Sequence, residues 1–286
     1  MQLVTIDTAQ GSRAGAVYDG KFVDLNATDP NLPVSVKDLL GLEDWQARTA
    51  DAAERGARAG RFMTGRLNAP IPNPNKVICI GLNYRDHAAE SGMPIPTEPI
   101  CFSKFSHTIV GPDAEVRLPR VCEQVDYEVE LVAVIGRRGK HIPKEQARQY
   151  VAGYTNGNDV SARDWQLNKP GKQWLLGKTP DTFAPIGPYL LTADEVADPH
   201  DLNVQLRLNG QTMQNSSTRE LIFGIDELVA YLSQIITLEP GDVIFTGTPP
   251  GVGMARKPPV FLKPGDVMEV EIDGLGILRN PVVADE

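Results

Sequence analysis

A mixed α+β, β-rich fold is what this sequence predicts, and three observations carry the prediction. After residue 75 the chain is dominated by short apolar or alternating runs punctuated by Gly and Pro, the pattern of strands joined by tight turns. Helical periodicity is concentrated instead in residues 35–60, where Leu39, Leu40, Leu42, Trp45 and Ala52 recur among Ala and Arg. Between the two lies Ala69-Pro70-Ile71-Pro72-Asn73-Pro74-Asn75, whose three prolines forbid regular structure and read as a linker. The expected organisation is a small N-terminal α/β domain, residues 1–70, followed by a larger domain, residues 71–286.

In chain order, residues 2–6 and 14–25 read as strands, with Asp19-Gly20 as a hairpin turn. Further strands are expected at 76–81, 99–105, 128–135, 204–208, 243–246 and 267–272. Helices are expected at 86–90, 144–150, 159–166 and 224–234. Pro-Gly-Asp-Val occurs at 240–243 and again at 264–267, which reads as two similar turns, each feeding a strand, rather than as a repeat.

Composition excludes several classes of function. With 286 residues, 41% of them hydrophobic and 23% charged, the chain is long and apolar enough for a sizeable core. A net charge of −9 argues against nucleic acid as the partner. The three cysteines, Cys79, Cys101 and Cys122, form no CxxC or Cys–His spacing, so reduced thiols are expected and zinc is not. The first residues lack the basic and apolar regions of a signal peptide, and no apolar run approaches the ~20 residues of a membrane span. A cytoplasmic protein is expected, with neither membrane nor nucleic acid as partner.

Chemistry is suggested first by Glu128 and Glu130, in Val125-Asp126-Tyr127-Glu128-Val129-Glu130-Leu131-Val132-Ala133-Val134. Residues two apart on a strand share a face, here the face of Val132 and Val134. Two adjacent carboxylates in an apolar setting must protonate, pair or bind a cation; on a solvated face they need do none of these. The strand pattern alone admits both readings. Asp159 is the candidate third ligand, and three carboxylate oxygens suit Mg²⁺ or Mn²⁺ with positions left for a chelating 2-oxo acid. His87 and Glu90, at i, i+3 spacing, fall on one face of a helical turn, where the carboxylate would orient the imidazole as a base; an ordinary surface pair has the same spacing. Lys178 follows the apolar pair Leu175-Leu176 and would either offset the acids or sit in solvent. Thr246-Gly247-Thr248-Pro249-Pro250-Gly251 lacks the Gly-Lys-Ser/Thr of a phosphate loop, but a Gly-rich turn with the Thr248 hydroxyl can hold a carboxylate.

Taken together, the phrases GLNYRDHAAESG, DYEVELVAVIG, GNDVSARDWQ, GKTPDTFAPIGP and PGDVIFTGTPPGVG resemble the fumarylacetoacetate hydrolase family, from about Lys76 to Val283. The stretches GKQWLLGKTPDTF, VADPHDLN and RKPPVFLKPGD are similar to the subgroup containing the family's domain-containing protein 2, and to bacterial hydrolases of 2,4-diketo-3-deoxy sugar acids. The resemblance implies a β-roll of mixed sheets, usually dimeric. It implies Glu128, Glu130 and Asp159 as ligands of Mg²⁺ or Mn²⁺, His87 and Glu90 as a lid dyad, and Lys178 as the lysine facing the bound oxo acid. It implies Arg163 and Gln166 as substrate contacts and Thr248 as the holder of the substrate carboxylate. Members that cleave fumarylacetoacetate itself carry a further ligating Asp ahead of the dyad, where this chain has Gly81-Leu82-Asn83-Tyr84. The implied activity is hydrolysis of a C–C bond in an acylpyruvate or 2,4-diketo acid, through an enolpyruvate held at the metal. Keto–enol tautomerisation or decarboxylation of oxaloacetate would use the same enolate. A non-catalytic binding protein that kept the fold is the alternative from another class.

Overall fold

The computed structural model describes residues 1–285. A 12-stranded sheet forms the frame, and its main path runs Phe62–Met63, Lys21–Asp24, Gly11–Tyr18, Gln2–Thr8, Ala184–Thr192, Val151–Asn158, Val129–Ile135, Val243–Phe245, Val77–Gly81, Ile100–Lys104. A five-stranded sheet, Gln211–Ser217, Asn203–Leu208, Val267–Ile272, Ile277–Ala284 and Val116–Leu118, packs against it. In the smaller sheet burial alternates, with Met268, Val270 and Ile272 turned inward, as expected where one face of a sheet meets a core.

The strand that positions the site is Val129–Ile135, buried along its whole length between antiparallel neighbours Val151–Asn158 and Val243–Phe245. Its alternation divides two cores. Val129, Leu131, Ala133 and Ile135 join the core shared with the smaller sheet, while Val132 and Val134 pack with Phe245, Leu39, Leu40 and Trp45. Glu130 is therefore in phase with an apolar face and not with solvent.

The N-terminal hairpin turns at Asp19 and Gly20, both with positive φ (46° and 72°), the conformation that two-residue hairpins favour. Strand Gln2–Thr8, paired on one side with the first strand of that hairpin, pairs on the other with Ala184–Thr192, Gln2 opposite Leu191 and Leu3 opposite Leu190, so one sheet spans the proline run. That run is irregular, as expected, but it is not an exposed connector. Ala69, Pro70 and Ile71 are buried, and the Pro70 carbonyl accepts from the Thr5 hydroxyl at 2.9 Å. Proline has no N–H to satisfy, which suits a segment laid across a sheet outside its ladder.

Two helical expectations shift. Residues 144–150 form a 3-10 helix. The helix expected from 159 begins at Arg163 (Arg163–Asn168), because Ser161 and Ala162 first bridge to Asp126 and Val125. The two Pro-Gly-Asp-Val turns, with φ of 82° at Gly241 and 94° at Gly265, enter strands of different sheets, in line with separate turns. Among the described residues no helix is long and apolar enough to cross a membrane.

Candidate active site

Glu128, Glu130 and Asp159 converge: one carboxylate oxygen from each lies within 4.8 Å of the others, and all three residues are buried. The backbone explains why. Glu128 immediately precedes the central strand, and its carbonyl accepts from Asp159 N at 2.9 Å, so the residue after Val151–Asn158 is held beside the start of Val129–Ile135. Glu130 lies two residues on, on the same face.

Cations surround two of the three acids. The Lys178 ammonium donates to Glu128 Oε2 and Asp159 Oδ2, each at 2.7 Å. Arg163 Nη2 donates to Glu128 Oε1 at 2.6 Å. The Lys104 ammonium lies 2.7 Å from Asp159 Oδ1 and donates to the Val160 and Phe183 carbonyls. Burial alone would push the Glu128 carboxyl up, but Arg163 and Lys178 outweigh it and hold the group well below the usual carboxylate range. Burial disfavours charge on Lys178 as well, yet Asp159 and Glu128 raise it to about 12.

Glu130 differs. It accepts from Gly247 N at 2.7 Å and has no ion pair among the described residues. Burial first, then the Asp159 and Glu128 carboxylates, push it well above its ordinary range. Four buried acids, Asp126, Glu128, Glu130 and Asp159, face three buried cations, Lys104, Arg163 and Lys178. With all four ionised the cluster is one positive charge short, and three hard oxygens around that deficit fit a divalent ion. Glu128, Glu130 and Asp159 can hold such an ion. The Gly247 contact needs a glycine: its φ is 100°, and a Cβ there would lie 2.7 Å from Asn83 Cβ.

A cavity of about 550 Å³ opens over the cluster. Eight of the nine residues singled out in the sequence line it; Asp159 lies beneath its floor. His87 and Glu90 sit on the helix Arg85–Ser91, with Nδ1 3.1 Å from Glu90 Oε2. Glu90 also accepts from Gly251 N at 3.0 Å. The helix is tied down at its start by Ser216 to Asp86 (2.5 Å) and Arg85 to the Leu221 carbonyl (2.6 Å), and ends at Gly92 with φ of 63°. Arg163 and Gln166 share one face of their short helix and are bonded to each other at 3.0 Å. Thr248 reaches the cavity with its hydroxyl engaged, donating to the Val129 carbonyl (2.9 Å) and accepting from Gln214 (2.8 Å).

Sequence reasoning missed Lys104, Phe102 and Asp126. Lys104 ends a strand in phase with Ile100 and Phe102, an apolar face on which a buried Lys needs a carboxylate partner; that phase was the available signal. Phe102 packs edge-on against Trp174 at 5.4 Å, and the Lys178 ammonium lies 5.0 Å from its ring centroid. Trp174 and Lys178 are i, i+4 on the helix Trp174–Lys178, but no local pattern brings Phe102 to them.

The family described as Fumarylacetoacetate (FAA) hydrolase C-terminal matches residues 76–283. The chain is 51% identical over 268 residues to the protein named Oxaloacetate tautomerase fahd2, mitochondrial, of Xenopus laevis, covering 92% of this chain and 83% of that one. A putative HpcE protein from Mycobacterium smegmatis superimposes with a TM-score of 0.88 at 41% identity, and maleylpyruvate hydrolase from Sphingobium sp. SYK-6, in complex with manganese(II) ion and pyruvate, with 0.80 at 30%; each covers all of both chains. Sequence motifs, sheet architecture and the buried acidic cluster lead to one statement: this chain belongs to the fumarylacetoacetate hydrolase family of enzymes.

Proposed function

We propose that the protein is a divalent-metal-dependent enzyme of small 2-oxo acids whose principal reaction is the keto–enol tautomerisation of oxaloacetate. One observation carries the reading: three buried acids placed to share one ion, a buried lysine and an oriented imidazole all meet at one cavity. The 51% identity to a protein named oxaloacetate tautomerase favours this activity over others of the family.

Glu128, Glu130 and Asp159 would hold the ion, Mg²⁺ or Mn²⁺, and a bound ion would supply positive charge to the 2-oxo acid. Lys178 stabilises the negative charge that develops on the 2-oxo oxygen as C3 loses its proton. Glu90 occupies His87 Nδ1, leaving Nε2 to take the proton from C3 and deliver it to the 2-oxo oxygen, which gives the enol and frees the imidazole again. Arg163 and Gln166 contact the substrate and the Thr248 turn binds its carboxylate; with the Thr248 hydroxyl donating to Val129, Gly247 N to Glu130 and Gly251 N to Glu90, and with prolines at 249 and 250, Thr248 N is the turn's donor left for this.

Hydrolysis of acylpyruvates or diketo acids is the second reading. It is favoured by a cavity larger than a four-carbon diacid fills and by the relative named maleylpyruvate hydrolase. In it, His87 would deprotonate water. Oxaloacetate, several acylpyruvates and a 2,4-diketo-3-deoxy acid, assayed with Mg²⁺ and with Mn²⁺, separate the readings. Fast oxaloacetate tautomerisation without diketo cleavage is the expected result; cleavage as the dominant activity would replace the first reading by the second. No turnover of any of them, with ligand binding kept, would leave the binding-protein alternative. The reading also takes the chain as a cytoplasmic homodimer, with residues 1–70 a supporting N-terminal domain and 71–286 the catalytic one. Sedimentation tests the dimer and cell fractionation the location, the Xenopus relative being named mitochondrial.

A further inference from the structure

Asp126 is neither an acid of the metal cluster nor a member of the dyad, yet it touches what joins them. It is fully buried and accepts four hydrogen bonds. Oδ1 takes Tyr127 N at 2.8 Å and Gly253 N at 2.7 Å; Oδ2 takes Met254 N at 3.1 Å and Arg163 Nε at 2.9 Å. Backbone N–H groups converging on one carboxylate make a fixed cradle. Gly253 permits it, since a Cβ there would lie 1.9 Å from the Val260 oxygen and 2.7 Å from Asp126 Oδ1.

The loop that supplies this cradle also holds the dyad: Gly251 N donates to Glu90, two residues before Gly253. The arginine that completes it also holds the cluster: Arg163 Nη2 donates to Glu128. A path of hydrogen bonds and loop backbone therefore runs from Glu90 through residues 251–254 to Asp126, Arg163 and Glu128. We infer that Asp126 is a positioning residue that couples the docking of Glu90 on the 251–254 loop to the orientation of Arg163 and Glu128. The inference rests on the dyad and the acidic cluster forming one active site. A path of contacts becomes coupling only when two perturbations fail to act independently.

The test is a double-variant cycle of Asp126→Asn and Glu90→Gln, read as oxalate affinity of the Mn²⁺-loaded protein by calorimetry. Asn keeps the shape of Asp but turns one acceptor into a donor facing other donors, so the cradle loses contacts whichever way the amide sits. Asp126→Asn is expected to weaken oxalate about tenfold, the scale of a lost hydrogen bond to a charged group. Glu90→Gln is expected to weaken it in the wild-type background and scarcely further in the Asp126→Asn background. Losses that multiply would overturn the inference. Circular dichroism and thermal melting report folding; if neither Asp126→Asn nor Asp126→Glu folds, the residue is structural and the inference falls. Wild-type protein that binds neither Mn²⁺ nor oxalate would remove the active-site reading itself, an outcome distinct from multiplicative losses on a working site.

Discussion

The floor of the cavity and its mouth are built by different physics. On and just beneath the floor, Glu128, Asp159, Lys178 and Arg163 are buried, and each is held by an opposite charge at 2.6–2.7 Å. At the mouth, Met93, Ile100 and Met254 line the opening while 52%, 42% and 39% exposed, and Lys172 sits on a turn with φ of 53°. Charges buried this deeply tolerate little change, because removing one strands its partner. Exposed apolar residues tolerate exchange. Under the proposed function, the floor carries the enolate chemistry common to the two readings and the mouth the choice of substrate.

Glu130 gives the sharpest way to break this division. It is the floor acid without an ion pair, so Glu130→Gln removes a ligand charge without stranding a buried cation, and Gly247 N still finds an acceptor. Loss of divalent-metal binding and a fall in turnover on the order of 10³-fold are expected, with thermal stability kept. Retained metal binding by calorimetry would detach Glu130 from the site.

Lys178→Met comes next. It removes the ammonium shared by Glu128 and Asp159, so metal binding should be kept or strengthened while turnover falls about 100-fold. Parallel loss of both would make Lys178 a structural cation only.

At the mouth, His87→Ala should lower turnover about 100-fold and leave Mn²⁺ affinity unchanged. An unchanged rate would place the proton transfer elsewhere.

The smallest effect lies away from the cavity. His200 Nε2 accepts from Ile225 N at 2.9 Å, at the start of the helix Ile225–Ile235. Burial, then the Arg148 guanidinium, lowers its pKa below 6.5. Its contribution is thus fully present above pH 6.5 and is lost as pH falls through the lowered value. Protonation ends the acceptor role, costing about 1 kcal/mol. Melting curves between pH 7.5 and pH 5 should show the wild type losing stability that a His200→Gln variant does not lose; identical slopes would exclude His200 as the source.

The two regions were also unequally legible in the sequence. Glu128 and Glu130 could be placed on one face because a strand has period two, and His87 with Glu90, like Arg163 with Gln166, because a helix brings i, i+3 together. Local period could not tell a buried face from a wet one. That answer needed Phe245 and the Leu39–Trp45 region, packed on the same side as Val132 from both directions along the chain. Asp126 and Lys104 escaped because their partners are 37 residues and 55 residues away, separations that no local pattern encodes. The proline run was read correctly as irregular but not as buried, since proline composition reports missing N–H groups rather than what lies above and below them.

The central claim is that the buried acids hold one divalent ion and that the ion, with Lys178, holds a 2-oxo acid. Electron paramagnetic resonance of Mn²⁺ titrated into wild type and Glu130→Gln, with and without oxalate, tests it most directly. One tight Mn²⁺ per wild-type chain and a spectrum altered by oxalate are expected, and neither in the variant. Equal Mn²⁺ binding by the two proteins, or an oxalate complex that forms without metal, would contradict it.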